Sequence, residues 1–459
     1  MDLTEYKNIY FIGIGGIGMS ALSRYFNAKE LNIYGYDKVK SALCSDLEKE
    51  GIQIHYSDSI DNISEKIKEN KKESLVVYTT AISSENKELS YFKENGFEIF
   101  KRSEVLGKIT EDNFSIAVAG THGKTTTSTM IAHMLHHASV DCTAFLGGIS
   151  TNYNSNLILG SEKSIVVVEA DEFDRSFLTL NPDIAIITSV DADHLDIYKT
   201  KENLLSAFTD FTNKIKSGGT LYLESNIDST FVERKDITVL QYCTNKTSDC
   251  SAINISSKDN NMLFDVEINK ETITAFKLNM GGEYNVSNAL VSIAVAKQLG
   301  VSDIKLLQGI NSFKGIKRRF ETQILTDKII YIDDYAHHPK EITESIQAVK
   351  KMYPNKKITV VFQPHLYSRT NDFMNEFAVA LSLSDHLILL DIYAARENPI
   401  DGVNSRVLAG KCNVDKIQLC SLNNVVNLLE EEEEEVELLL TLGAGDIGTI
   451  VNDIKTLLS

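Results

Sequence analysis

The feature that most constrains this chain is a glycine-containing loop between a short apolar segment and a helix-forming one. Ser115–Ala119 predicts a buried strand, and Lys124–His137 predicts a helix. The loop that joins them comprises Gly120, Thr121, His122, Gly123, Lys124, Thr125 and Thr126. A strand–loop–helix unit of this kind presents backbone N–H groups and a lysine to the phosphates of a nucleotide, and a hydroxyl to magnesium. The sequence therefore predicts ATP binding, although Val118 occupies the place of the first glycine in the usual spacing.

A second glycine pattern lies near the start of the chain. Asn8–Ile12 predicts a strand, and a helix is expected from Met19 to Ala28. The residues of interest are Gly13, Gly15, Gly16 and Gly18, followed by Asp37 at the end of the next predicted strand. Glycines in such a turn let the backbone approach a diphosphate at the helix N-terminus. The pattern predicts a nucleotide diphosphate site without identifying the nucleotide, and a purely structural turn stays open as an alternative.

Strands and helices alternate along the chain in three segments that each open with a strand. Further strands are predicted at Asn32–Tyr36, Leu75–Thr79, Glu98–Phe100, Ile165–Val168, Ile184–Thr188, Ile329–Ile332, Ile358–Phe362, His386–Asp391 and Leu438–Leu442, with strands and turns over Thr220–Leu278 and a helix over Val286–Gly300. Because 459 residues exceed what one core accommodates, several domains are expected. Alternation of this kind predicts an α/β protein with parallel sheets.

Acidic residues follow two of the predicted strands. They are Glu169, Asp171 and Glu172 after the first strand, and Asp191, Asp193, His194 and Asp196 after the second. We expect the two strands to be adjacent in the sheet, so that these side chains meet at its carboxyl edge, beside the phosphate loop. Carboxylates together with phosphate oxygens suit magnesium, and one imidazole is tolerated. The sequence therefore predicts a magnesium site with Glu169 beside the loop.

Composition and charge restrict the class of partner. The 46 basic and 64 acidic side chains give a net charge of −18, which argues against broad nucleic-acid binding because that needs a basic surface. The six cysteines are too scattered for a zinc framework. No signal peptide and no apolar run of about 18 residues is found, so a cytoplasmic protein without a membrane partner is expected. Glu430–Glu435 predicts a solvated helix end or loop.

Taken together, the motifs are similar to those of the Mur ligases of peptidoglycan synthesis. The resemblance rests on Gly13-Ile-Gly-Gly-Ile-Gly18-Met19-Ser20, the Gly120–Thr126 loop, Glu169-Ala-Asp-Glu-Phe-Asp174, Asp193-His194-Leu-Asp196, Asn285-Val-Ser-Asn288-Ala289-Leu290, Arg318-Arg319-Phe320, Asp333-Asp334-Tyr335-Ala-His337-His338-Pro339, Gln363-Pro-His365 and Gly443-Ala-Gly445-Asp446-Ile-Gly448. These motifs run in order from residue 13 to residue 448, so the resemblance covers essentially the whole chain. The opening glycine pattern and the Tyr-Ala-His-His-Pro run resemble the branch that adds L-alanine to UDP-N-acetylmuramate.

The resemblance implies an architecture and a reaction. It implies three domains: a Rossmann-like UDP-sugar domain over residues 1–107, a central phosphate-loop ATPase domain over 108–313, and a Rossmann-like amino-acid-binding domain over 314–459. ATP and Mg²⁺ would be required, and UDP-N-acetylmuramate and L-alanine would be the substrates. Phosphoryl transfer from ATP would activate the lactyl carboxylate as an acyl phosphate, which the amine attacks to form the amide. A monomer or weak homodimer is expected.

The resemblance also assigns roles to residues of this chain. The ATP-binding residues would be Gly120 to Thr126, Asn285, Asn288, Arg319 and Asp334. The UDP-sugar-binding residues would be Gly13, Gly15, Gly16, Gly18, Met19, Ser20 and Asp37. Metal ligands would be Thr125, Glu169 and His194, and the amino acid would contact His337, His338 and Arg369. Catalysis would depend on Lys124, Glu169, His194, Arg319 and Asp334, of which Arg319 and Asp334 would reach the ATP when the domains close.

Two departures from the family pattern stand out. Relatives that add later amino acids carry a carbamylated lysine beyond the equivalent of His194, where this chain has Ala207-Phe208-Thr209-Asp210. Leu366 stands where many alanine-adding relatives have an arginine, which leaves Arg369 as the candidate for the amino-acid carboxylate. The first departure fits the alanine-adding branch, and the second concerns how the amino acid is bound.

Several alternatives stay open at this point. A murein-peptide recycling ligase shares most of the ATPase residues, although the opening glycine pattern argues against it. A nicotinamide-dependent dehydrogenase would explain residues 13–37 and leave the phosphate loop without a use. A regulatory phosphate-loop switch would leave Arg319 and Asp334 without a role. His337 and His338 could form a helix N-terminal cap, and the group that deprotonates the amine is open among His337, His338 and Asp334.

Overall fold

The computed structural model describes residues 3–191, 198, 200–258, 260–395 and 397–459. Two compact units divide the chain: the first unit is Met1–Ser251 with Asn288–Gly309, and the second unit is Ala252–Ser287 with Ile310–Ser459. Both units combine mainly parallel sheets with α-helices, so the predicted α/β class is confirmed. Within the described ranges, no helix is long and apolar enough to cross a bilayer.

The first unit opens with a five-stranded parallel sheet. Its strands are β1 (Asn8–Ile12), β2 (Asn32–Tyr36), β3 (Gln53–His55), β4 (Ser74–Tyr78) and β5 (Glu98–Lys101), and its helices are α1 (Ile17–Asn27), α2 (Ala42–Lys49), α3 (Glu65–Glu69), α4 (Lys87–Glu94) and α5 (Arg102–Glu111). The strand order is β3-β2-β1-β4-β5, so the chain reverses its direction across the sheet after β3. This reversal leaves a crevice at the carboxyl end of β1, where open α/β sheets bind ligands. The glycine pattern at 13–18 follows β1 directly and therefore lies at this crevice.

The second sheet of the first unit carries the phosphate loop. Its strands are β6 (Ser115–Ala119), β7 (Cys142–Ser150), β8 (Ser155–Ile158), β9 (Ile165–Glu169), β10 (Ile184–Ile187), β11 (Thr220–Glu224) and β12 (Thr238–Thr244), with helices α6 (Lys124–His137) and α7 (Lys201–Thr212). Among these seven strands the order is β12-β11-β10-β6-β9-β7-β8, part of a ten-stranded sheet, and of the seven only β7 and β8 pair antiparallel. Every residue of β6 is buried because neighbouring strands and covering helices enclose it. The predicted bounds of β6 and α6 are confirmed.

The sheet order corrects one expectation about the acidic segments. The strands that precede Glu169 and Asp191 were predicted to be neighbours, but β6 lies between β9 and β10 and pairs in parallel with both. The prediction was wrong because sequence order does not fix strand order in a parallel sheet, where any crossover is long enough to skip a position. The consequence favours the site, since the two acidic segments flank the phosphate loop from both sides.

The second unit contains a hairpin region and a six-stranded sheet. Its strands are β13 (Cys250–Lys258), β14 (Asn261–Ile268), β15 (Glu271–Leu278), β16 (Glu321–Leu325), β17 (Ile330–Asp334), β18 (Ile358–Phe362), β19 (His386–Leu390), β20 (Lys416–Cys420) and β21 (Leu438–Leu442). The remaining helices are α8 (Glu283–Gln298), α9 (Asp303–Ser312), α10 (Pro339–Met352), α11 (Tyr367–Asp372), α12 (Met374–Leu381), α13 (Ser405–Ala409), α14 (Val425–Glu431) and α15 (Val451–Leu458). A unit boundary falls within each of β13, α8 and α9. The order β16-β17-β21-β18-β19-β20 is parallel apart from the β16–β17 pair.

Each unit has an apolar core of its own. In the first unit one continuous cluster joins Phe11 of the first sheet to Ala117 and Ile187 of the second, so the two sheets share a core. In the second unit Tyr331 and Leu439 of the sheet pack with residues of α14 and α15. The shared core of the first unit fixes the glycine pattern and the phosphate loop in one rigid framework, which is what positions the site.

The glutamate run is a largely solvated helix end, as predicted, since four of its six side chains, Glu430, Glu431, Glu434 and Glu435, are exposed. Its first residues end α14, and Glu433–Glu435 forms a short 3-10 helix. Glu432 is mostly buried: it binds the Lys416 ammonium at 2.7 Å and accepts a hydrogen bond from Gln418 at 3.0 Å. Glu432 therefore attaches this helix end to the edge strand β20, while most of the run faces solvent.

Candidate active site

The phosphate loop has the backbone that its two glycines allow. Gly120 has φ +127° and Gly123 has φ +81°, in the region that side chains disfavour. A Cβ at Gly120 would overlap the Thr188 hydroxyl, and one at Gly123 would lie 2.7 Å from Oδ1 of Asn288. Ser189 supports the loop by accepting a hydrogen bond from the His122 N–H at 2.8 Å. Since the glycines leave no side chains in the way, the loop is open to a phosphate group.

Lys124 is held over this loop by two acceptors. Its ammonium donates to the Gly120 carbonyl at 2.7 Å and to the Glu172 carboxylate at 2.8 and 2.9 Å. Glu172 is completely buried, and its carbonyl accepts a hydrogen bond from the Tyr198 hydroxyl at 2.6 Å. Burial alone would lower the pKa of Lys124, but the carboxylates of Glu172, Asp171 and Glu169 outweigh burial and raise it. The lysine therefore stays charged at the position where it would meet a phosphate.

Thr125 and Glu169 form the predicted metal-binding pair. The Thr125 hydroxyl donates to the Glu169 carboxylate at 2.9 Å, because β9 ends at Glu169 beside the first turn of α6. Gly147 of β7 faces the same carboxylate, which a Cβ at that position would overlap. Among the described residues, no group of three or more His, Cys, Asp and Glu side chains forms a complete metal cluster. The pair therefore fits a magnesium ion whose remaining ligands come from phosphates and water.

The other predicted metal ligand lies outside the described residues. His194, with Asp193 and Asp196, falls in the range 192–197, so its role stays a prediction. Asp191 is described: its backbone N–H donates to the Thr121 hydroxyl at 3.1 Å, and its carboxylate lies 3.6 Å from Nε2 of His122. The acidic segment after β10 therefore begins in contact with the phosphate loop.

The glycine pattern forms a tight turn at the carboxyl end of β1. The N–H of Gly13 donates to the Tyr36 carbonyl at 2.7 Å, and the N–H of Gly15 donates to Oδ2 of Asp37 at 2.8 Å. Asp37 thus holds the loop in place. Helix α1 begins at Ile17, two residues before the predicted start, with Gly16 as its N-cap residue. Ile17, Gly18 and Met19 of this first turn line a cavity, and the first N–H groups of a helix have no acceptor within it, so they suit an anion.

Met19 and Ser20 are buried behind this turn. The side chain of Asn156, on β8, donates to the Ile17 carbonyl at 2.6 Å and to the Ser20 hydroxyl at 2.8 Å. Asn156 is completely buried, so this contact ties α1 to the second sheet of the same unit. Ser20 is therefore engaged with a structural partner, while Met19 also lines the cavity described next.

A cavity of about 240 Å³ is lined by residues of the glycine turn and by Glu169. Its polar lining comes from Gly16, Gly18, Arg102, Glu169 and Asp171, and Leu22, Leu106, Phe145 and Leu146 are among its apolar residues. Arg102 makes no ion pair or side-chain hydrogen bond with any other described residue. A Cβ at Gly18 would lie 2.5 Å from its Nη1 atom. The Arg102 guanidinium lies beside Gly18, at the start of α1, and is not engaged by another described side chain. This part of the cavity is therefore suitable for an anionic ligand.

Sequence reasoning missed Arg102. The available signal was the basic pair Lys101-Arg102 directly after the predicted strand Glu98–Phe100, which places it at the carboxyl edge of the first sheet. Sequence reasoning also singled out the Glu169–Asp174 motif without giving Glu172 a role. The structure gives Glu172 one, as the partner of Lys124.

Asn285 and Asn288 both lie in α8 and are buried, but they have different partners. Oδ1 of Asn288 accepts a hydrogen bond from the Thr127 hydroxyl at 3.1 Å, next to the phosphate loop of the first unit. The Asn285 side chain donates to the Gly281 carbonyl at 2.7 Å in the second unit. Asn288 is therefore at the predicted nucleotide site, while the described bond of Asn285 is local.

In the second unit, Arg319 and Asp334 lie at the carboxyl end of β17. The Arg319 guanidinium carbon lies 4.7 Å from the centroid of the Tyr335 ring. The Asp334 carboxylate accepts a hydrogen bond from the Ser345 hydroxyl at 2.8 Å. Burial raises the pKa of Asp334 to about 6, and the hydrogen bond from Ser345 and the charge of Arg319 counteract it only in part.

His338 and His337 have different positions at the start of α10. The cap alternative is confirmed for His338, which is the N-cap residue: its Nδ1 accepts a hydrogen bond from the Lys340 N–H at 3.3 Å. Glu341 completes the cap by accepting from the backbone N–H of both histidines. The His337 ring lies 6.1 Å from the ring of His365, centroid to centroid. His337 therefore lies beside a residue that follows β18, and His338 both caps α10 and packs on Phe373, with 4.9 Å between the ring centroids.

The residues after β18 form a compact basic cluster. Nη1 of Arg369 lies 3.4 Å from Nδ1 of His365, whose ring stacks on Tyr393 at 5.6 Å between centroids. Burial and the neighbouring Arg369 lower the pKa of His365 to about 4, so this histidine is neutral near pH 7. Leu366 has φ +71°, an unfavourable backbone for a leucine. Arg369 is thus the cation of this cluster among the described residues.

Three family models match successive parts of the chain. The model described as "Mur ligase family, catalytic domain" matches residues 8–113, "Mur ligase middle domain" matches 118–296, and "Mur ligase, glutamate ligase domain" matches 318–450. The three matches follow the order of the three sheets along the chain. The α/β fold with three domains is therefore confirmed.

Individual proteins extend this likeness over the whole chain. The UDP-N-acetylmuramate–L-alanine ligase of Flavobacterium johnsoniae is 45% identical over 100% of this chain and 99% of its own. The solved structure of the UDP-N-acetylmuramate–alanine ligase of Thermotoga maritima is 28% identical, covers 97% of this chain and 98% of its own, and superimposes with a TM-score of 0.80. A murein peptide ligase from Psychrobacter arcticus shares the fold, with a TM-score of 0.71 at 24% identity over 98% of each chain.

Proposed function

The chain belongs to the Mur ligase family, among its UDP-N-acetylmuramate–L-alanine ligases, and we propose how its residues carry out that reaction. The reaction uses ATP to join the lactyl carboxylate of UDP-N-acetylmuramate to the amino group of L-alanine, in the synthesis of the peptidoglycan precursor. We place the domain boundaries near residues 107 and 313. Since Gly107 lies inside α5, the first junction falls at the end of that helix.

One observation carries the assignment of roles. One cavity of the first unit is lined both by Gly16, Gly18 and Arg102 and by Glu169 with Asp171. A sugar nucleotide whose diphosphate binds at the glycine turn would therefore extend its carboxylate toward the phosphate loop. The first-turn N–H groups of α1 would bind the diphosphate together with Arg102, by charge-assisted hydrogen bonds.

Activation of the carboxylate needs phosphoryl transfer, because a carboxylate is a poor electrophile. The carboxylate oxygen attacks the γ-phosphorus of ATP, the bond to the β-phosphate oxygen breaks, and ADP leaves with that electron pair. Lys124 would neutralise the charge on the β- and γ-phosphates during this step. The amine of L-alanine then attacks the acyl carbon, and the tetrahedral intermediate expels phosphate and loses a proton to give the amide.

Thr125 and Glu169 are the described residues that would hold Mg²⁺. Their oxygens are 2.9 Å apart, and Gly147 leaves the Glu169 carboxylate accessible. When bound, the ion neutralises phosphate charge and orients the γ-phosphoryl group. His194 is proposed as a ligand of a second ion on the strength of the family pattern alone.

The second unit supplies the remaining groups. We propose that Arg319 stabilises the transferred phosphoryl group, and that Asp334 fixes the arginine by charge. Arg369 would bind the carboxylate of L-alanine, with His337 beside it. We keep His338 in this set: its Nδ1 caps α10, so it would contact the amino acid through the rest of its ring.

The test is phosphate release from MgATP with UDP-N-acetylmuramate, with and without L-alanine, followed by mass analysis of the sugar product. Alanine-dependent release with the mass gain of one alanine residue supports the reaction. Release that requires a tripeptide in place of alanine would move the chain to the recycling ligases. We also propose a cytoplasmic monomer or weak homodimer, without a nucleic-acid or membrane partner, and sedimentation velocity checks the oligomeric state.

A further inference from the structure

We propose that Arg318 is a positioning residue of this reaction: it holds the backbone that presents Arg319. The proposal rests on the proposed role of Arg319 in phosphoryl transfer. Neither the reaction chemistry nor the described contacts require Arg318 to touch a substrate. Its side chain is directed into the second unit instead, where it joins β17, β21 and the loop after β21.

The backbone around Arg319 is unusual. Arg318 has φ +62° and Phe320 has φ +48°, so two non-glycine residues flank Arg319 in the left-handed region. Such conformations are unfavourable for residues with a Cβ and persist only where the surroundings enforce them. Here the Arg319 N–H donates to the Ile316 carbonyl at 3.1 Å, and the Tyr335 N–H donates to the Arg318 carbonyl at 2.6 Å. The direction of the Arg319 side chain therefore depends on contacts that hold this turn.

The side chain of Arg318 supplies the strongest of these contacts. Its Nε lies 3.1 Å from Oδ2 of Asp333, and its Nη2 donates to the Gly443 carbonyl at 2.7 Å. Asp333 is completely buried, and its Oδ1 accepts a hydrogen bond from the Thr441 hydroxyl at 2.7 Å. The Arg318 N–H donates to the Glu321 carboxylate at 2.8 Å. Side chain and backbone of Arg318 are therefore both fixed to neighbouring elements.

The position of Arg318 explains glycines in a nearby motif, Gly443-Ala-Gly445-Asp446-Ile-Gly448. A Cβ at Gly448 would lie 2.5 Å from Nη1 of Arg318 and 2.7 Å from its Cζ. Gly443 has φ +144° and presents the carbonyl that Arg318 binds. Neither the proposed phosphoryl transfer nor the amide formation uses this motif. We infer that Gly448 makes room for the Arg318 guanidinium and that Gly443 supplies the carbonyl that accepts its hydrogen bond.

Tyr335 connects the two arginines. Its ring centroid lies 5.4 Å from the guanidinium carbon of Arg318 and 4.7 Å from that of Arg319. Asp333 and Gly443 bind the Arg318 guanidinium, so Arg318 holds the Tyr335 ring and the turn in place. Arg319 is then the arginine presented at the carboxyl end of β17. If Arg318 only stabilises the fold, its substitution should lower the stability of the protein without a specific loss of turnover. If Arg318 positions Arg319, its substitution should lower kcat specifically.

A double-mutant cycle separates these roles. Arg318→Met, Arg319→Ala and the double variant are compared in kcat and in KM for each substrate, with circular dichroism and thermal unfolding to confirm folding. Arg318→Met is expected to lower kcat by about 100-fold, as small misplacements of catalytic groups do, with the KM for the sugar nucleotide changed by less than about threefold. In the Arg319→Ala background, Arg318→Met should lower kcat no further, because coupled residues are not additive.

Further variants provide an independent test and the controls. Gly448→Ala crowds the Arg318 guanidinium without removing it and should reproduce part of the loss. Gly410→Ala is its matched control, because a Cβ there meets nothing closer than 3.6 Å and kcat should not change. If Arg318→Met does not fold, Arg318→Lys and Gly448→Ala carry the comparison, with Arg406→Met as the control for an exposed arginine.

The outcomes are distinguishable. An additive loss in the double variant, or an unchanged kcat in Arg318→Met beside a strongly impaired Arg319→Ala, would overturn the inference and leave the proposed function intact. An unchanged kcat in Arg319→Ala would contradict the proposed role of Arg319 itself. A loss in Arg318→Met that disappears in the Arg319→Ala background supports the positioning role.

Discussion

Single residues of the site are held by partners that lie far away in the sequence. Lys124 is the clearest case, because a buried ammonium is costly unless a charge compensates it. Glu172, 48 residues further along the chain, supplies that charge in the absence of nucleotide. A triphosphate would supply it in the complex.

The Lys124–Glu172 pair leads to a prediction about stability. Glu172→Gln keeps a hydrogen-bond acceptor but removes the compensating charge, so the unfolding free energy without nucleotide should fall by about 2 kcal/mol. MgADP should stabilise this variant more than the wild type, because its phosphates then compensate Lys124. Thermal unfolding with and without MgADP measures both effects, and Glu233→Gln, an exposed substitution, is the control. An equal nucleotide-induced shift in variant and wild type would refute the idea.

Arg102 leads to a prediction about substrate affinity. Arg102→Met should raise the KM for UDP-N-acetylmuramate by about 10- to 100-fold, the value of a hydrogen-bonded charge. The KM for ATP should stay within about twofold, because the ATP site lies at the phosphate loop. Lys101→Met is the matched control, since it removes a neighbouring positive charge that pairs with Asp174 outside the cavity. Equal effects of both substitutions would indicate general electrostatics and count against a specific contact.

Asp334 leads to a prediction about pH. Its folded pKa of about 6 lies above the ordinary 3.8 because of burial, so between these values the folded state holds a proton that the unfolded state has lost. The stability contributed by this group is therefore present below pH 3.8 and is lost as the pH rises through 6, by up to about 3 kcal/mol. Asp334→Asn should flatten the decrease in urea-unfolding free energy over this range. Asp327→Asn, in an exposed turn, should keep the wild-type slope; an unchanged slope in Asp334→Asn would contradict the burial effect.

Whether the role of a residue could be predicted from the sequence depends on how far along the chain its partners lie. The phosphate loop and Glu169 were predicted because each is marked by its own neighbours in sequence, a strand before it and a helix or acidic run after it. Arg102 and the role of Glu172 were not, because each depends on one specific spatial partner, Gly18 or Lys124. Only the strand order of the two sheets brings these partners together.

At the scale of elements, the buried strands were predicted well and the irregular ones were missed. β6, β18 and β21 have the predicted bounds, because continuous apolar runs between polar turns have few alternatives. β7 was missed because Gly147 and Gly148 make it resemble a loop. Short strands such as β3 and the edge strands β16 and β20 are only partly buried, so their sequences carry little apolar signal.

Gly147, one of the two glycines because of which β7 was not predicted, leads to a prediction about the binding of Mg²⁺. Gly147→Ala introduces a methyl group where the Glu169 carboxylate lies and should displace it from Thr125. The Mg²⁺ concentration that gives half-maximal turnover should rise by about 10- to 100-fold, as it does when the surroundings of a metal ligand are changed. Titration of activity with Mg²⁺ at saturating substrates measures it. Gly410→Ala again serves as the control, and a Gly147→Ala curve that overlays the wild type would show that Glu169 tolerates the methyl group.

At the scale of the whole molecule, the site residues are divided between two units with separate cores. Of the residues that the structure describes, those that line the cavity assigned to the sugar nucleotide all belong to the first unit, and so do those of the phosphate loop. Arg319, Asp334 and Arg369 belong to the second unit. Sequence analysis assigned Arg319, Asp334 and Arg369 to a separate C-terminal domain because the motifs occur in order along the chain, but it did not foresee unit boundaries inside β13, α8 and α9.

This division leads to a prediction about binding and catalysis. Arg319→Ala should leave the Kd for UDP-N-acetylmuramate within about twofold of wild type, because every residue that lines the cavity is unchanged. Turnover should fall by about 1,000-fold or more, as it does when an arginine that stabilises a transferred phosphoryl group is removed. Isothermal titration calorimetry and steady-state turnover measure the two quantities on the same preparation. Weakened sugar-nucleotide binding with proportionate loss of turnover would mean that Arg319 contributes to the ground state, and the second unit would then have to be part of the sugar-nucleotide site.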